Sequence, residues 1–345
     1  TDAPVNVRAT EVGLSINPGG RLYVLPCIAG HVGADTAGMI LSEEPQSQDL
    51  MTLLVDVGTN AEIVLGNRQR LMACSSPTGP AFEGAQISGG QRAATGAIER
   101  VRIDAETLEP RFKVVGCELW SDQEGFTDAV RDFGVTGICG SGIIEVVAEM
   151  YLAGIVTVDG IVDGGLASRT ARIISNDRTW SYSLFTSEGG EEPIVVTQND
   201  IRQIQLAKAA LYAGVKLLMD HMGVDKIERI RLAGAFGSHI NVQHAMVLGL
   251  IPDCPLEEVS SAGNAAGTGA RIALLNVQSR HVIETLVKNI EKIETALEPK
   301  FQDYFVDAMA FPNKRDSFPN LFSVVSMPVV NEVKDTMGGR KRRRR

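Results

Sequence analysis

The sequence contains no closely spaced cysteine pair of the kind that holds a zinc ion or an iron–sulfur cluster. CxxC pairs and cysteine runs are the usual signature of such sites, and the five histidines form no HExxH or similar metal-binding spacing either. This absence excludes a metal or cluster centre built from a local motif, and it predicts reduced, mostly buried thiols of a cytoplasmic protein. The five cysteines are Cys27, Cys74, Cys117, Cys139 and Cys254.

Long apolar runs are also missing. No stretch reaches the roughly 18 apolar residues of a membrane-spanning helix, and no signal-peptide pattern opens the chain. The formal net charge is −9 although residues 340–345 are all basic. An acidic body argues against a broad nucleic-acid-binding face. We therefore expect no nucleic-acid or membrane partner, and we interpret residues 331–345 as a basic disordered tail.

A buried strand that ends in a carboxylate is the first chemically informative feature. Residues 51–57 form an apolar run that contains Asp56 near its end, which is typical of a strand buried on both faces. The turn Gly58-Thr59-Asn60 follows, and residues 61–65 run back as a second strand. The backbone N–H groups and the threonine hydroxyl of such a hairpin can wrap a phosphate, while Asp56 can orient a water on Mg²⁺. The alternative is a buried aspartate that caps its own turn.

Two further glycine-rich turns are candidate contacts of the same ligand. A predicted strand over 227–233 runs into Gly234-Ala235-Phe236-Gly237, where missing Cβ atoms let a flat or anionic ligand approach the backbone. Gly140-Ser141-Gly142 opens a predicted helix that continues to residue 152, and a helix N-terminus attracts phosphate through free N–H groups and its dipole. A tight strand-to-helix turn and a plain helix cap are the respective alternatives.

The order of these features is more specific than any one of them. A small-residue helix over 32–41 with Asp35 inside it precedes the Asp56 hairpin, and a second small-residue helix over 262–275 follows the Gly234 turn. In this order they resemble the connect 1, phosphate 2, adenosine and connect 2 motifs of the acetate and sugar kinase, heat-shock-70 and actin superfamily. The resemblance implies an α/β, actin-like (ribonuclease-H-like) ATPase fold. Its two lobes of mixed sheets, with helices on both faces, would hinge about the crossed helices.

The resemblance also implies roles for single residues. ATP or ADP with Mg²⁺ would lie between the lobes, with the Gly58 N–H, Thr59 and Asn60 on its terminal phosphate and Gly234 to Gly237 around its adenosine. Asp35 would polarise the attacking water, although a helix cap explains it equally well. Glu83 and Arg92 lie where members of the superfamily build the cleft wall, and pairing at the surface is their alternative.

Three segments narrow the resemblance to the reductive activators of corrinoid proteins, and the match covers nearly all of residues 10–312. The segments are GPAFEGA at 79–85, GICGSG at 137–142 and DIRQIQLAK at 200–208. The family implies ATP-coupled re-reduction of Co(II) to Co(I) in a corrinoid methyl-transfer protein, and a homodimer. It also implies an N-terminal ferredoxin-like domain with a [2Fe–2S] cluster.

Two parts of that family pattern are absent from the 345 residues. They are the cysteines of the ferredoxin domain and the first phosphate motif, a strand turn that we expect before residue 1. The first lobe is therefore expected to be incomplete, and this fragment alone to be inactive. We predict the remainder of the first lobe and connect 1 at 1–50, the second lobe through connect 2 at 51–275, and a C-terminal helical extension at 276–330.

Two helices can be predicted in more detail. The sequence Thr197-Gln198-Asn199-Asp200 is a capping box that opens a long helix, with Arg202 and Lys208 expected on its solvated side. A charged amphipathic helix is expected over 279–297.

Two other functions remain open at this point. A small-molecule kinase of the same superfamily would release ADP in response to a sugar or a carboxylate, although no dedicated substrate subdomain is evident. A non-catalytic module for dimerisation and corrinoid-protein docking would bind its partner without nucleotide.

Overall fold

The computed structural model describes residues 2–186, 193–237 and 239–326. In these ranges the strands are β1 (Val5–Arg8), β2 (Arg21–Val24), β3 (Thr52–Val57), β4 (Ala61–Gly66), β5 (Leu71–Ser76), β6 (Ala97–Ile103), β7 (Pro110–Val114), β8 (Gly137–Ile138), β9 (Ile173–Asn176), β10 (Thr179–Phe185), β11 (Ile194–Thr197), β12 (Arg229–Ala233), β13 (Val259–Gly263) and β14 (Glu291–Lys292). The helices are α1 (Ala34–Glu43), α2 (Phe126–Ala129), α3 (Gly140–Leu152), α4 (Gln198–Met222), α5 (Gly234–Gly237), α6 (Val242–Val247), α7 (Ala265–Leu275), α8 (Val277–Leu286), α9 (Phe301–Asp307) and α10 (Pro319–Val324). None of these helices is long and apolar enough to cross a bilayer.

A mixed six-stranded sheet in the order β13-β12-β3-β4-β5-β14 forms the centre of the molecule. β3, β4 and β5 are an antiparallel meander. β12 lies parallel to β3 and to β13, and β14 lies parallel to β5. The strands predicted at 51–57, 61–65 and 227–233 are confirmed to within two residues.

Helices cover both faces of this sheet. Successive side chains of a strand point to opposite faces, and one face of the meander, with Leu54 and Val64, packs into the same hydrophobic core as α1 and α7. The other face packs against α4, where Gly214 lies so close that an added Cβ would be 2.7 Å from Ile63 Cδ1. Burial on both sides explains why the strands read as uninterrupted apolar runs.

α1 and α7 cross through backbone contact. A Cβ at Gly269 would lie 1.9 Å from the carbonyl oxygen of Gly38, and a Cβ at Gly38 would lie 2.8 Å from the carbonyl oxygen of Ala266. Both distances are too short for a carbon atom, so only glycine permits this approach. The two predicted small-residue helices are confirmed, with α1 starting at residue 34 and α7 at residue 265.

Two three-stranded sheets, β7-β6-β8 and β11-β10-β9, build the rest of the fold around α3 and α4. Along β6, only the first two residues, Ala97 and Ile98, pair with β8. Beyond that point the carboxylates of Glu145 and Glu149 on α3 accept hydrogen bonds from the backbone N–H groups of Val101 and Ile103, each at 3.0 Å. Side chains rather than a strand therefore close this edge of the sheet.

The two buried carboxylates are themselves compensated, as buried charges must be. Arg100 and Arg102 pair with Glu145 at 2.8 and 2.6 Å. His244 of α6 lies 2.7 Å from Glu149 through its Nε2. This network joins α6, which follows the Gly234 turn in the chain, to α3 and β6.

The start of α4 has the predicted capping box. The Thr197 hydroxyl accepts from the Asp200 N–H at 3.2 Å, and the Asp200 carboxylate accepts from the Thr197 N–H at 2.8 Å. Lys208, which we expected on the solvated side, is fully buried instead. Its ammonium group donates hydrogen bonds to the carbonyls of Ala310 and Pro312. The lysine therefore fastens the C-terminal segment to α4.

The charged helix predicted over 279–297 is wrong beyond Leu286, where α8 ends. Ile290 is buried in the same core as Ile283, and the next residues add β14 to the edge of the central sheet. An ion pair of 2.6 Å between Arg70 and Glu291 joins β14 to the chain just before β5. The charges that suggested a helix face are thus used in contacts between distant parts of the chain.

The predicted boundaries near residues 50 and 275 both cross one hydrophobic core. Residues of α1, of the meander, of α7 and of α8 contribute to that core together. The division into segments stays a prediction, and the segment 331–345, predicted as a basic tail, lies outside the described residues.

The crossing of α1 and α7 can be tested by adding one methyl group. We expect Gly269→Ala to lower the free energy of unfolding by about 1 kcal/mol or more. The clash of the new methyl group with the Gly38 carbonyl oxygen outweighs the better helix propensity of alanine. Gly30→Ala is the control, since a Cβ there meets no atom within 4 Å. Urea unfolding of both variants measures the difference, and equal stabilities would contradict the close approach.

Candidate functional site

The carboxylate of Asp56 and the Gly234 turn meet at one edge of the central sheet. In the parallel pairing of β3 and β12, Asp56 lies opposite Ala233, so the two strands end together. Gly234 follows with a φ of 83°, and a Cβ at that position would lie 2.3 Å from Asp56 Oδ1. Two of the predicted site elements, 178 positions apart in the chain, are therefore direct neighbours.

The hairpin that follows Asp56 is only partly available to a ligand. Thr59 and Asn60 are exposed at its tip. The N–H of Gly58 donates to the carbonyl of Asn60 at 3.1 Å, which closes the turn. A phosphate at this N–H would compete with the turn bond, and the predicted use of the N–H stays a prediction.

The Thr59 hydroxyl already has a partner. It donates to Glu83 Oε1 at 2.8 Å, and Glu83 ends a short 3-10 helix, Pro80–Glu83. This contact brings Glu83 to the hairpin. It also means that a ligand at the hairpin tip competes with a carboxylate for the hydroxyl.

Three carboxylates converge beside the sheet edge. Glu62 lies directly opposite Asp56 in the antiparallel pairing of β3 and β4, so both side chains point to the same face. Burial and the nearby charge of Asp35 raise the pKa of Asp56 above its usual range. Burial, together with the charges of Asp35 and Asp56, raises the pKa of Glu62 to about 7, although a hydrogen bond from Ser75 opposes the shift. The arrangement is one that an added cation would stabilise.

Glu62 was not among the residues predicted for the site. The signal was present in the sequence, because two acids placed symmetrically about a three-residue turn must share one face of a hairpin. Within the described ranges, no three His, Cys, Asp or Glu side chains are arranged to ligate a metal ion directly. These carboxylates could therefore meet a magnesium ion only through water or through the phosphates of a ligand.

Asp35 lies in the first turn of α1, whose N-cap is Gly33. Its carboxylate accepts a hydrogen bond from the Thr36 N–H at 2.8 Å. It also lines a groove of about 610 Å³ between β2, α1 and α7. Asp35 is therefore not the N-cap residue itself, although its carboxylate satisfies a free N–H of the first turn while it borders the groove.

The remaining predicted residues are placed differently. Gly142 packs against β6, where a Cβ would lie 2.2 Å from the Ile98 carbonyl oxygen, and the Ser141 hydroxyl lies 3.3 Å from the sulfur of Cys139. Helix packing accounts for the glycine at position 142, and the predicted phosphate contact of Gly140 to Gly142 stays a prediction. Gly237 is buried against Leu232, as a tight turn requires. The side chains of Ala235 and Phe236 lie outside the described part of the chain.

The proximity of Gly234 to Asp56 predicts a large effect of an added methyl group. Gly134 is a matched control, because its φ is 70° but a Cβ there meets no atom within 4 Å. We expect Gly134→Ala to cost about 1 kcal/mol of unfolding free energy through backbone strain alone. Gly234→Ala should cost about 2 kcal/mol more, because it also displaces Asp56. Similar losses in the two variants, measured by chemical denaturation, would show that the carboxylate is not where we place it.

The raised pKa of Glu62 predicts how stability depends on pH. The folded state holds the proton more tightly than the unfolded chain, so its contribution is fully present below about pH 4.5 and is lost as the pH rises through about 7. We expect Glu62→Gln to exceed wild type by about 1 kcal/mol at pH 8, allowing for solvent screening, and to match it below pH 4.5. Urea titrations at both pH values, with the exposed Glu106→Gln as control, measure this. A wild type that is equally stable or more stable at pH 8 would contradict the shift.

Known proteins with a similar sequence and fold point to one family. Residues 50–322 match a family model described as the C-terminal domain of RACo, the ASKHA domain, and residues 1–48 match the RACo middle region. A solved structure, a reductive activator for a corrinoid, iron–sulfur protein, superimposes with a TM-score of 0.76 and 34% identity over 89% of this chain and 47% of its own.

Two curated relatives have names that also refer to corrinoid proteins. The chain is 32% identical over 315 residues to the corrinoid activation enzyme RamQ of Eubacterium limosum, covering 88% of this chain and 50% of that protein. It is 24% identical over 301 residues to the [Co(II) methylated amine-specific corrinoid protein] reductase of Methanosarcina barkeri, covering 84% and 52%. The chain thus spans about half the length of these relatives. With its fold and motif order as predicted, it belongs to the family of RACo C-terminal ASKHA domains, which have the actin-like α/β fold.

Proposed function

We propose that this chain is the ATP-binding and ATP-hydrolysing part of an activator that drives the re-reduction of Co(II) to Co(I) in a corrinoid methyl-transfer protein. The observation that carries the proposal is the contact between the Asp56 carboxylate and the Gly234 turn at the shared end of β3 and β12. The named activities of the relatives support it.

The residues around that contact suit a magnesium–nucleotide. A bound Mg²⁺ would offset the repulsion between the acids and the phosphates and activate a phosphate for hydrolysis. Asp56 would hold a water of the ion, with Glu62 beside it, and Asp35 would orient the attacking water. The Thr59 hydroxyl and the side chain of Asn60 would bind the terminal phosphate, and the residues from Gly234 to Gly237 would contact the adenosine.

The glycine crossing of α1 and α7 supports a hinge. Interlocked side chains would fix the angle between two helices, whereas a backbone contact without Cβ atoms at Gly38 and Gly269 leaves it adjustable. Nucleotide binding would favour one angle only to the extent that it binds that arrangement more tightly. Moving such an equilibrium from 1:99 to 99:1 requires about a 10⁴-fold preference. Hydrolysis would return the domain to its starting arrangement.

The partners form the rest of the proposal. A corrinoid protein would dock on the activator, and the electron would come from a [2Fe–2S] ferredoxin-like domain of the kind the family implies. A homodimer in the cytoplasm is part of the same proposal. Exposed apolar side chains at the junction of α7 and α8 offer a surface for subunit contact, with Leu274 70% and Leu275 85% exposed.

The role of Asp56 is tested by Asp56→Asn. This change keeps the shape of the side chain and removes a charge that burial disfavours, so we expect a folded protein of unchanged or higher stability. ATP hydrolysis by the protein expressed from its complete reading frame should fall by about 10²-fold. ATP-dependent formation of Co(I), followed by the absorbance of the corrinoid, should fall in parallel.

Asp49→Asn is the matched control, because Asp49 is exposed and makes a surface ion pair with Arg68. It should leave hydrolysis and Co(I) formation at wild-type values. Equal affinity for Mg-ATP, equal hydrolysis and equal Co(I) formation in Asp56→Asn and wild type would refute the assignment.

A further inference from the structure

The contact between Glu83 and Thr59 is held in place by the surrounding backbone. The Thr78 hydroxyl donates to the Gly58 carbonyl at 2.7 Å, and the Gly79 N–H donates to the Thr59 carbonyl at 2.9 Å. These two bonds fasten the segment before the Pro80–Glu83 helix to the hairpin. The hairpin and the helix therefore behave as one unit.

The 3-10 helix itself has little freedom. Gly79 and Gly84, with φ values of 72° and 83°, turn the chain at its two ends, where other residues would be strained. Phe82 is 1% exposed and anchors the helix in the hydrophobic core. Glu83, the next residue, is consequently aimed at the hairpin tip rather than spread over the protein surface.

We propose that Glu83 is a built-in competitor for the phosphate-binding hydroxyl of Thr59. The inference rests on the proposed function. A carboxylate is an anionic acceptor like a phosphate, and in this structure it takes the hydroxyl that the terminal phosphate of a nucleoside triphosphate would need. The phosphate binds after it displaces Glu83.

Charge makes this competition stronger. Asp35 and Asp56 act on Glu62 at the sheet edge, and Glu83 adds a further carboxylate at the hairpin tip. A free polyphosphate is repelled by the ionised carboxylates at this edge, while its magnesium complex is repelled much less. Glu83 thus weakens the binding of every anionic ligand that reaches the hairpin tip. A nucleoside diphosphate, which lacks the terminal phosphate, should be nearly indifferent to it.

Glu83→Gln tests this role, because it keeps the size of the side chain and removes its charge. We expect Mg-ATP and magnesium tripolyphosphate to bind about 3- to 10-fold more tightly to this variant in isothermal titration of the complete protein. Mg-ADP should change less than about 2-fold. Glu83→Asp, which restores the acid, should return most of the wild-type affinity for Mg-ATP, which a purely structural role would not explain.

Thr59→Val supplies the second arm, because valine has the shape of threonine without its hydroxyl. In the Thr59→Val background, Glu83→Gln should raise the affinity for Mg-ATP by less than half as much as in wild type, because the hydroxyl for which Glu83 and phosphate compete is gone. If the full gain persisted, competition for this hydroxyl would be refuted.

The outcomes separate this inference from the proposed function. If Mg-ATP binds neither wild type nor Glu83→Gln, while tripolyphosphate binds Glu83→Gln more tightly, the nucleotide function fails and the competitor role stands. If Glu83→Gln leaves both affinities unchanged or weakens them, the competitor role is overturned whatever Mg-ATP does with wild type.

Discussion

The parallel pairing of β3 with β12 is the constraint on which the site depends. It fixes Asp56 opposite Ala233, so that a carboxylate from one hairpin and a glycine turn from a distant part of the chain share one edge. Hydrogen bonds of a ladder allow no intermediate register, and a slip by one residue would send Asp56 to the α4 face. Burial of apolar residues on both faces of β3 makes such a slip very costly.

The parts of the fold that follow from local pattern could be predicted from the sequence. The apolar run of β3, the capping box of α4 and the small-residue helices each have a physical signature that needs no knowledge of distant contacts. The order of motifs then gave the family and the fold. Asp56 and Gly234 could be named as site residues because strand ends and glycine turns are recognisable one at a time.

What could not be predicted depends on long-range contacts. Lys208 has the polarity of a surface residue, but its ammonium group donates hydrogen bonds to carbonyls about 100 positions away. β14 exists because the sheet edge beside β5 was open, which the charged sequence around Glu291 does not reveal. Glu83 meets Thr59 because β4 and β5, the two strands between them in the chain, return the chain to the hairpin tip. Glu62 is the exception, since the symmetry of its hairpin was available and was overlooked.

The carboxylates that close the β6 edge have a consequence for how this protein behaves in a crowded cell. An open strand edge is a template on which a second chain can add, and it is the usual starting point for aggregation and for exchange of strands between molecules. Here the N–H groups of Val101 and Ile103 are occupied by Glu145 and Glu149. A foreign strand would have to expel two buried acids before it found a donor. This edge can therefore lack a partner strand without offering a template for aggregation.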